Sequence, residues 1–137
     1  MKTARDLMTA PVERLAPGDS LVTAARRLAQ HDVGSMPVMD GDDLVGILTD
    51  RDIVVRGLAQ GLDPHTTTVR EVATLSVVTV DAANDAHRVA NVLTDHQVRR
   101  VPVVEGGRVI GVIAQADLAL ALDGEMVGEV VEGISQK

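Results

Sequence analysis

Gly46-Ile47-Leu48-Thr49-Asp50-Arg51-Asp52 runs from apolar residues straight into a helix start. Its apolar run ends in Thr-x-x-Asp, a capping box that starts a helix. A strand therefore turns here directly into a helix. Gly111-Val112-Ile113-Ala114-Gln115-Ala116-Asp117 restates the pattern 65 positions later. At that shift Val12 falls on Val77, Leu28 on Leu93, His31 on His96, Pro37 on Pro102, Gly41 on Gly106 and Asp52 on Asp117. The register holds without a gap, so the chain is an internal duplication.

Each copy opens on a second capping box, Thr3-Ala4-Arg5-Asp6 and Thr68-Val69-Arg70-Glu71, which marks a short helix. Extended pieces follow at Val12 to Leu15 and Val77 to Val80. An amphipathic helix comes next, with Val22, Ala25, Leu28 and Ala29 at helical spacing in copy one and Val89, Ala90 and Leu93 in copy two. Asp19 or Ser20 caps the first, and Asn84 or Asp85 the second. A hairpin follows in each copy. Met36 to Met39 and Leu44 to Leu48 flank Asp40-Gly41-Asp42-Asp43, while Val101 to Val104 and Arg108 to Ile113 flank Glu105-Gly106-Gly107. The closing helices are expected over Asp50 to about Gln60 and Gln115 to about Leu122. Boundaries follow at 1–64, 65–124 and a tail at 125–137, where Met126, Val127, Val130, Val131 and Ile134 share one helical face.

Composition narrows the function classes. The 137 residues are 45% hydrophobic, enough for a core, but contain no Phe, Trp or Tyr. No aromatic ring is available to stack on a base, which argues against the common single-strand and RNA-binding modes. A net charge of −7 without a basic run argues against a DNA-tracking surface. The absence of Cys excludes disulfides and Cys-based zinc sites. No signal peptide or spanning apolar run is readable, so a cytoplasmic protein without membrane contact is expected.

The order helix, strand, helix, strand, strand, helix occurs twice. Pro-Val opens the middle strand, and Gly-h-h-Thr-x-x-Asp closes the last. This resembles a cystathionine β-synthase (CBS) domain pair, close to stand-alone bacterial proteins of the hypoxic-response type. Thr49-Asp50-Arg51-Asp52-Ile53 and Val98-Arg99-Arg100-Val101-Pro102-Val103 are frequent in that group. The resemblance implies an α+β fold of two β-α-β-β-α repeats about a pseudo-two-fold axis, with homodimerisation. It also implies clefts for adenosine nucleotides such as AMP, ADP or ATP, bound as regulatory ligands rather than turned over. One cleft would combine Thr49 and Asp52 with Arg99, Arg100 and the backbone at Ser76, Val77 and Val78. The other would combine Ala114 and Asp117 with Gly34, Ser35 and the backbone near Ala10 to Val12.

Elementary chemistry agrees with that assignment. One carboxylate can accept from both hydroxyls of a ribose diol, and adjacent guanidinium groups suit a phosphate. The start of a helix adds N–H groups and the positive end of its dipole. Copy two carries Ala114 in place of Thr49, and copy one carries Gly34-Ser35 in place of Arg99-Arg100. Both losses fall on the same cleft, so one competent and one degraded site are expected.

Plainer readings stand beside these. Thr49-x-x-Asp52 reads as a cap alone, or as a cap and a ribose contact. Arg99 and Arg100 read as solvated residues or as phosphate ligands. Gly34 reads as a helix C-cap, and His31 and His96 read as helix-end residues rather than metal ligands. No nucleophile–base pair or P-loop is present, so no catalytic residue is assigned. The alternative function is a dimeric interaction scaffold with empty clefts that captures an effector protein.

Overall fold

A computed structural model describes residues 2–75 and 77–122. The expected tail at 125–137 and Ser76 lie outside the described residues. Two compact units are present. One is Glu13–Val77; the other combines Met1–Val12 with Val78–Lys137. The sequence repeats at 1–64 and 65–124 are periods of the chain, whereas the compact units are cut elsewhere.

Unit Glu13–Val77 holds α2 (Leu21–Gln30), β1 (Ser35–Asp40), β2 (Asp43–Thr49), α3 (Asp50–Asp52) and α4 (Val69–Val72). After α3 the helix continues as a π turn at Ile53–Gly57 and a 3-10 turn at Leu58–Gln60. The other unit holds α1 (Ala4–Leu7), β3 (Val80–Asp81), α5 (Ala86–Asp95), β4 (Arg100–Glu105), β5 (Arg108–Ala114) and α6 (Gln115–Ala121). The sequence pattern accounts for these elements closely. Ser20 accepts the Thr23 N–H to cap α2, and Asp85 accepts the Arg88 N–H to cap α5.

Each hairpin is antiparallel and closes on two residues, Gly41-Asp42 or Gly106-Gly107. Gly106 and Gly107 take φ +58° and +80°, the left-handed region that a tight hairpin turn requires. Both hairpins break register at the same repeat position, after Val38 and after Val103. Val45 and Ile110 are the extra residues of these bulges. Of the expected extended pieces, Val80–Asp81 pairs in parallel with β4. Leu15 makes one parallel bridge to Val38. The far edge of β2 is covered by Thr74, through two 2.9 Å bonds exchanged with Ile47. Thr9 covers β5 in the same way through Val112.

The cores are aliphatic, as an aromatic-free chain requires. Leu15, Leu21, Leu28, Val38, Leu48 and Val69 fill the first. Val80, Val89, Leu93, Val101, Ile113 and Leu118 fill the second. Ala4 and Leu7 from α1 belong to that second core, while Val69 and Val72 from α4 belong to the first.

Gly34 is not a helix C-cap. α2 ends at Gln30, His31 is the cap residue, and Asp32 takes φ +51°. Val33 N–H then reaches Leu28 O at 3.0 Å and Asp32 N–H reaches Ala29 O at 3.2 Å, which is a Schellman motif. α5 ends identically, with Gln97 at φ +53° and Val98 N–H on Leu93 O at 3.0 Å. An L residue pays a steric penalty in this region that glycine does not. The Asp32 carboxylate also faces the negative end of the helix dipole. Asp32→Gly and Gln97→Gly are each expected to stabilise the fold by about 0.5–1 kcal/mol in urea denaturation.

The opening caps predict an acid response. Thr3 N–H donates to Asp6 Oδ2 at 2.9 Å, and Thr68 N–H donates to Glu71 Oε2 at 2.6 Å. These backbone bonds, aided by the threonine hydroxyls, hold both carboxyls below their ordinary values. A lowered folded value contributes stability above the unfolded value, and that contribution is lost as pH falls through the folded one. Asp6→Asn and Glu71→Gln are therefore expected to be less stable than wild type at neutral pH. The gap should close as pH drops below the ordinary carboxylate range, as read by denaturation at stepped pH.

Candidate functional site

The Thr49-to-Asp52 turn is fixed from both ends. Asp52 N–H donates to Thr49 Oγ1 at 2.9 Å, and Thr49 N–H donates to Asp52 Oδ2 at 3.0 Å. The box therefore holds both side chains in one geometry, half-buried at the end of β2. It uses only part of their capacity. Among the described residues, Asp52 Oδ1 has no hydrogen-bond partner, and the Thr49 hydroxyl proton is uncommitted. Capping and binding a diol are thus compatible roles for the same two residues.

In the other unit Asp117 Oδ2 accepts the Ala114 N–H at 3.0 Å. This is half a capping box, since alanine offers no return bond. The cap alone therefore accounts for an acid at 117, and Ala114 removes the hydroxyl that Thr49 supplies. Arg99 and Arg100 stand at the start of β4, both exposed. Arg99 O accepts the Gln115 N–H at 2.8 Å, which ties the entry of β4 to the start of α6. Gly34 O does the same for Asp50 N–H at 2.9 Å. Among the described residues, neither the Arg99 nor the Arg100 guanidinium is ion-paired. Guanidinium groups left uncommitted are able to donate charge-assisted hydrogen bonds to an anion. Val77 and Val78 are half-buried and fall in different units.

A groove of about 490 Å³ lies in unit Glu13–Val77, between the last turns of α2 and the π turn. Ala25, Leu28, Ala29, Val33, Ile53 and Val54 give it apolar walls, with Asp32 and Asp50 at its rim. No motif in the sequence pointed to it, because its walls come from two helices separated by the hairpin.

His31 and His96 are the C-cap residues of α2 and α5. His31 Nε2 lies 3.5 Å from Glu13 Oε2, which also receives Arg27 at 3.0 Å. Among the described residues, no group of three or more metal-ligating side chains is present. No helix among them is long and apolar enough to cross a membrane.

Comparison with known proteins gives the duplication a family. The CBS domain model matches twice, at residues 4–58 and 69–124. Hypoxic response protein 1 of Mycobacterium tuberculosis is 44% identical over 135 residues, covering 98% of this chain and 94% of that protein. The crystal structure of Hypoxic Response Protein I with two coordinated zinc ions superposes with TM-score 0.81 at 46% identity, over 89% of this chain and 100% of that one. Two further structures hold adenosine compounds. The CBS domain pair of MJ0100, in complex with 5′-methylthioadenosine and S-adenosylmethionine, gives TM-score 0.75 at 28% identity, over 90% and 98% of the chains. CBSX2 in complex with AMP gives TM-score 0.77 at 25% identity, over 88% and 96%.

Proposed function

The chain belongs to the CBS domain family, and from that premise we propose that it is a regulatory module that binds an adenosine nucleotide and does not turn it over. Thr49 and Asp52 take the ribose, and Arg99 and Arg100 take the phosphate. The backbone at Val77 and Val78 flanks the base. Two observations support this reading, each within its own unit: the uncommitted capacity of the Thr49–Asp52 box, and a guanidinium pair with no ion partner among the described residues. Relatives that hold AMP or S-adenosylmethionine support the ligand class. Ala114 makes the cleft around Asp117 the weaker one. Calorimetric titration with AMP, ADP, ATP, NAD and S-adenosylmethionine tests the reading. Binding of at least one is expected, and no heat from any of them would overturn it.

A second reading has its own observation. Val54 and Leu58, four positions apart in the Glu13–Val77 unit, are 56% and 49% exposed, and neighbouring exposed apolar side chains form the kind of patch that a partner covers. A homodimer, or a scaffold that holds an effector protein, would cover them in the cytoplasm. Capture of a partner that is indifferent to added nucleotide favours the scaffold. Capture that depends on nucleotide favours the sensor.

A further inference from the structure

The helices that follow β2 and β5 occupy the same repeat position, yet they are wound differently. α6 is an ordinary α-helix from Gln115 to Ala121. Its counterpart is α over Asp50–Asp52, π over Ile53–Gly57 and 3-10 over Leu58–Gln60. A π turn is rare, and such turns concentrate where a protein functions.

The hydrogen bonds show how this one is balanced. The Leu58 N–H is shared between Ile53 O and Val54 O. The first partner is five residues back, the π register; the second is four back, the α register. Both registers are thus engaged at one amide. Gly57 permits the wide turn. A Cβ at Gly57 would lie 2.8 Å from Leu21 Cδ1, so a side chain there would require the buried Leu21 to shift. The equivalent position in the other copy is Leu122, beyond the end of α6.

Position gives the turn its consequence. Asp52 immediately precedes it, held by Thr49. Ile53 and Val54 form one wall of the 490 Å³ groove. Val54, Val55 and Leu58 are 56%, 40% and 49% exposed. Passing one residue from the π to the α register rotates every later side chain by about 100°. Asp52 would stay capped while the apolar face beyond it turned.

We propose that the Ile53–Gly57 turn is a two-register element that couples the ligand on Asp52 to the apolar surface of Val54, Val55 and Leu58. This rests on the nucleotide reading of Asp52. A ligand biases the register by its differential affinity for the two states. By linkage, whatever covers that surface changes nucleotide affinity by the same factor.

Hydrogen exchange of the full chain, with and without saturating AMP, tests the coupling. Exchange at the amides of residues 54–58 is expected to change by about fivefold or more, with the β1–β2 hairpin amides unaltered. Calorimetric binding of AMP with unchanged exchange at 54–58 overturns the two-register element and leaves the nucleotide reading intact. Absence of binding by AMP, ADP, ATP, NAD and S-adenosylmethionine alike overturns both, and where another of the five binds in place of AMP the exchange is read with that ligand. Gly57→Ala disfavours the wide turn and provides the reciprocal measurement. In a folded variant whose 54–58 exchange has shifted, AMP affinity is expected to shift too, and an unaltered affinity would contradict the coupling. If that variant does not fold, exchange in the native protein decides.

Discussion

Gly46→Ala is expected to destabilise the protein by about 3 kcal/mol, at the upper end for overpacking. A Cβ at Gly46 would lie 2.4 Å from Thr74 O and 3.2 Å from Thr74 C. That oxygen is backbone. It is held in place because Ile47 and Thr74 exchange two hydrogen bonds, so moving it breaks the pair that covers the edge of β2. Gly111 is the repeat equivalent, but its closest neighbours are Sδ, Cγ and Cβ of Met8, at 2.4 to 2.8 Å. A methionine side chain adapts better than a carbonyl. Gly111→Ala is therefore expected to cost clearly less in the same urea denaturation series. Equal losses in the two variants would contradict this account of the edge contact.

Asp52→Ala is expected to do two separable things. Loss of the cap destabilises the fold by about 1 kcal/mol. Loss of the ribose acceptor weakens AMP binding roughly 10- to 100-fold, the range for a hydrogen bond to a charged group. Asp6→Ala provides the comparison, because Asp6 also caps a helix and lies outside the proposed site. It should lower stability and leave AMP affinity within about twofold. If Asp52→Ala affects stability alone, the box is only a cap.

Which features could be read from residues follows from what fixes each of them. The hairpins, the capped helices and the pairing of Thr49 with Asp52 are local, and local chemistry announces them. The duplication then assigns each element twice. Three features escaped because nothing local encodes them. Periodicity is blind to which copy an element packs with, so it could not assign Ala4 and Leu7 to the core of Val89 and Leu93. The residues point to Gly34 for the left-handed C-cap because glycine is the usual occupant. The chain instead strains Asp32 and Gln97 two residues earlier, a position visible only in the shared endings His31-Asp32 and His96-Gln97. The π turn left no trace in a gapless repeat, because side-chain spacing does not encode the hydrogen-bond register within a helix.

For the site itself, the residue types were readable but the state of their hydrogen bonds was not. The family resemblance places Asp117 among the ligand residues. Its bond to Ala114 N–H shows that the cap persists without a threonine. The contrast between Thr49 and Ala114 therefore carries more weight than the acid the two turns share.

The most direct test of the nucleotide reading compares AMP with adenosine on wild type and on an Arg99→Ala/Arg100→Ala variant, by titration calorimetry. The two ligands differ only by the phosphate. The guanidinium pair is expected to add affinity for AMP alone, so the variant should lose AMP affinity about tenfold or more while adenosine binds unchanged. Equal losses for both ligands, or no loss for AMP, would contradict the assignment of Arg99 and Arg100 to the phosphate.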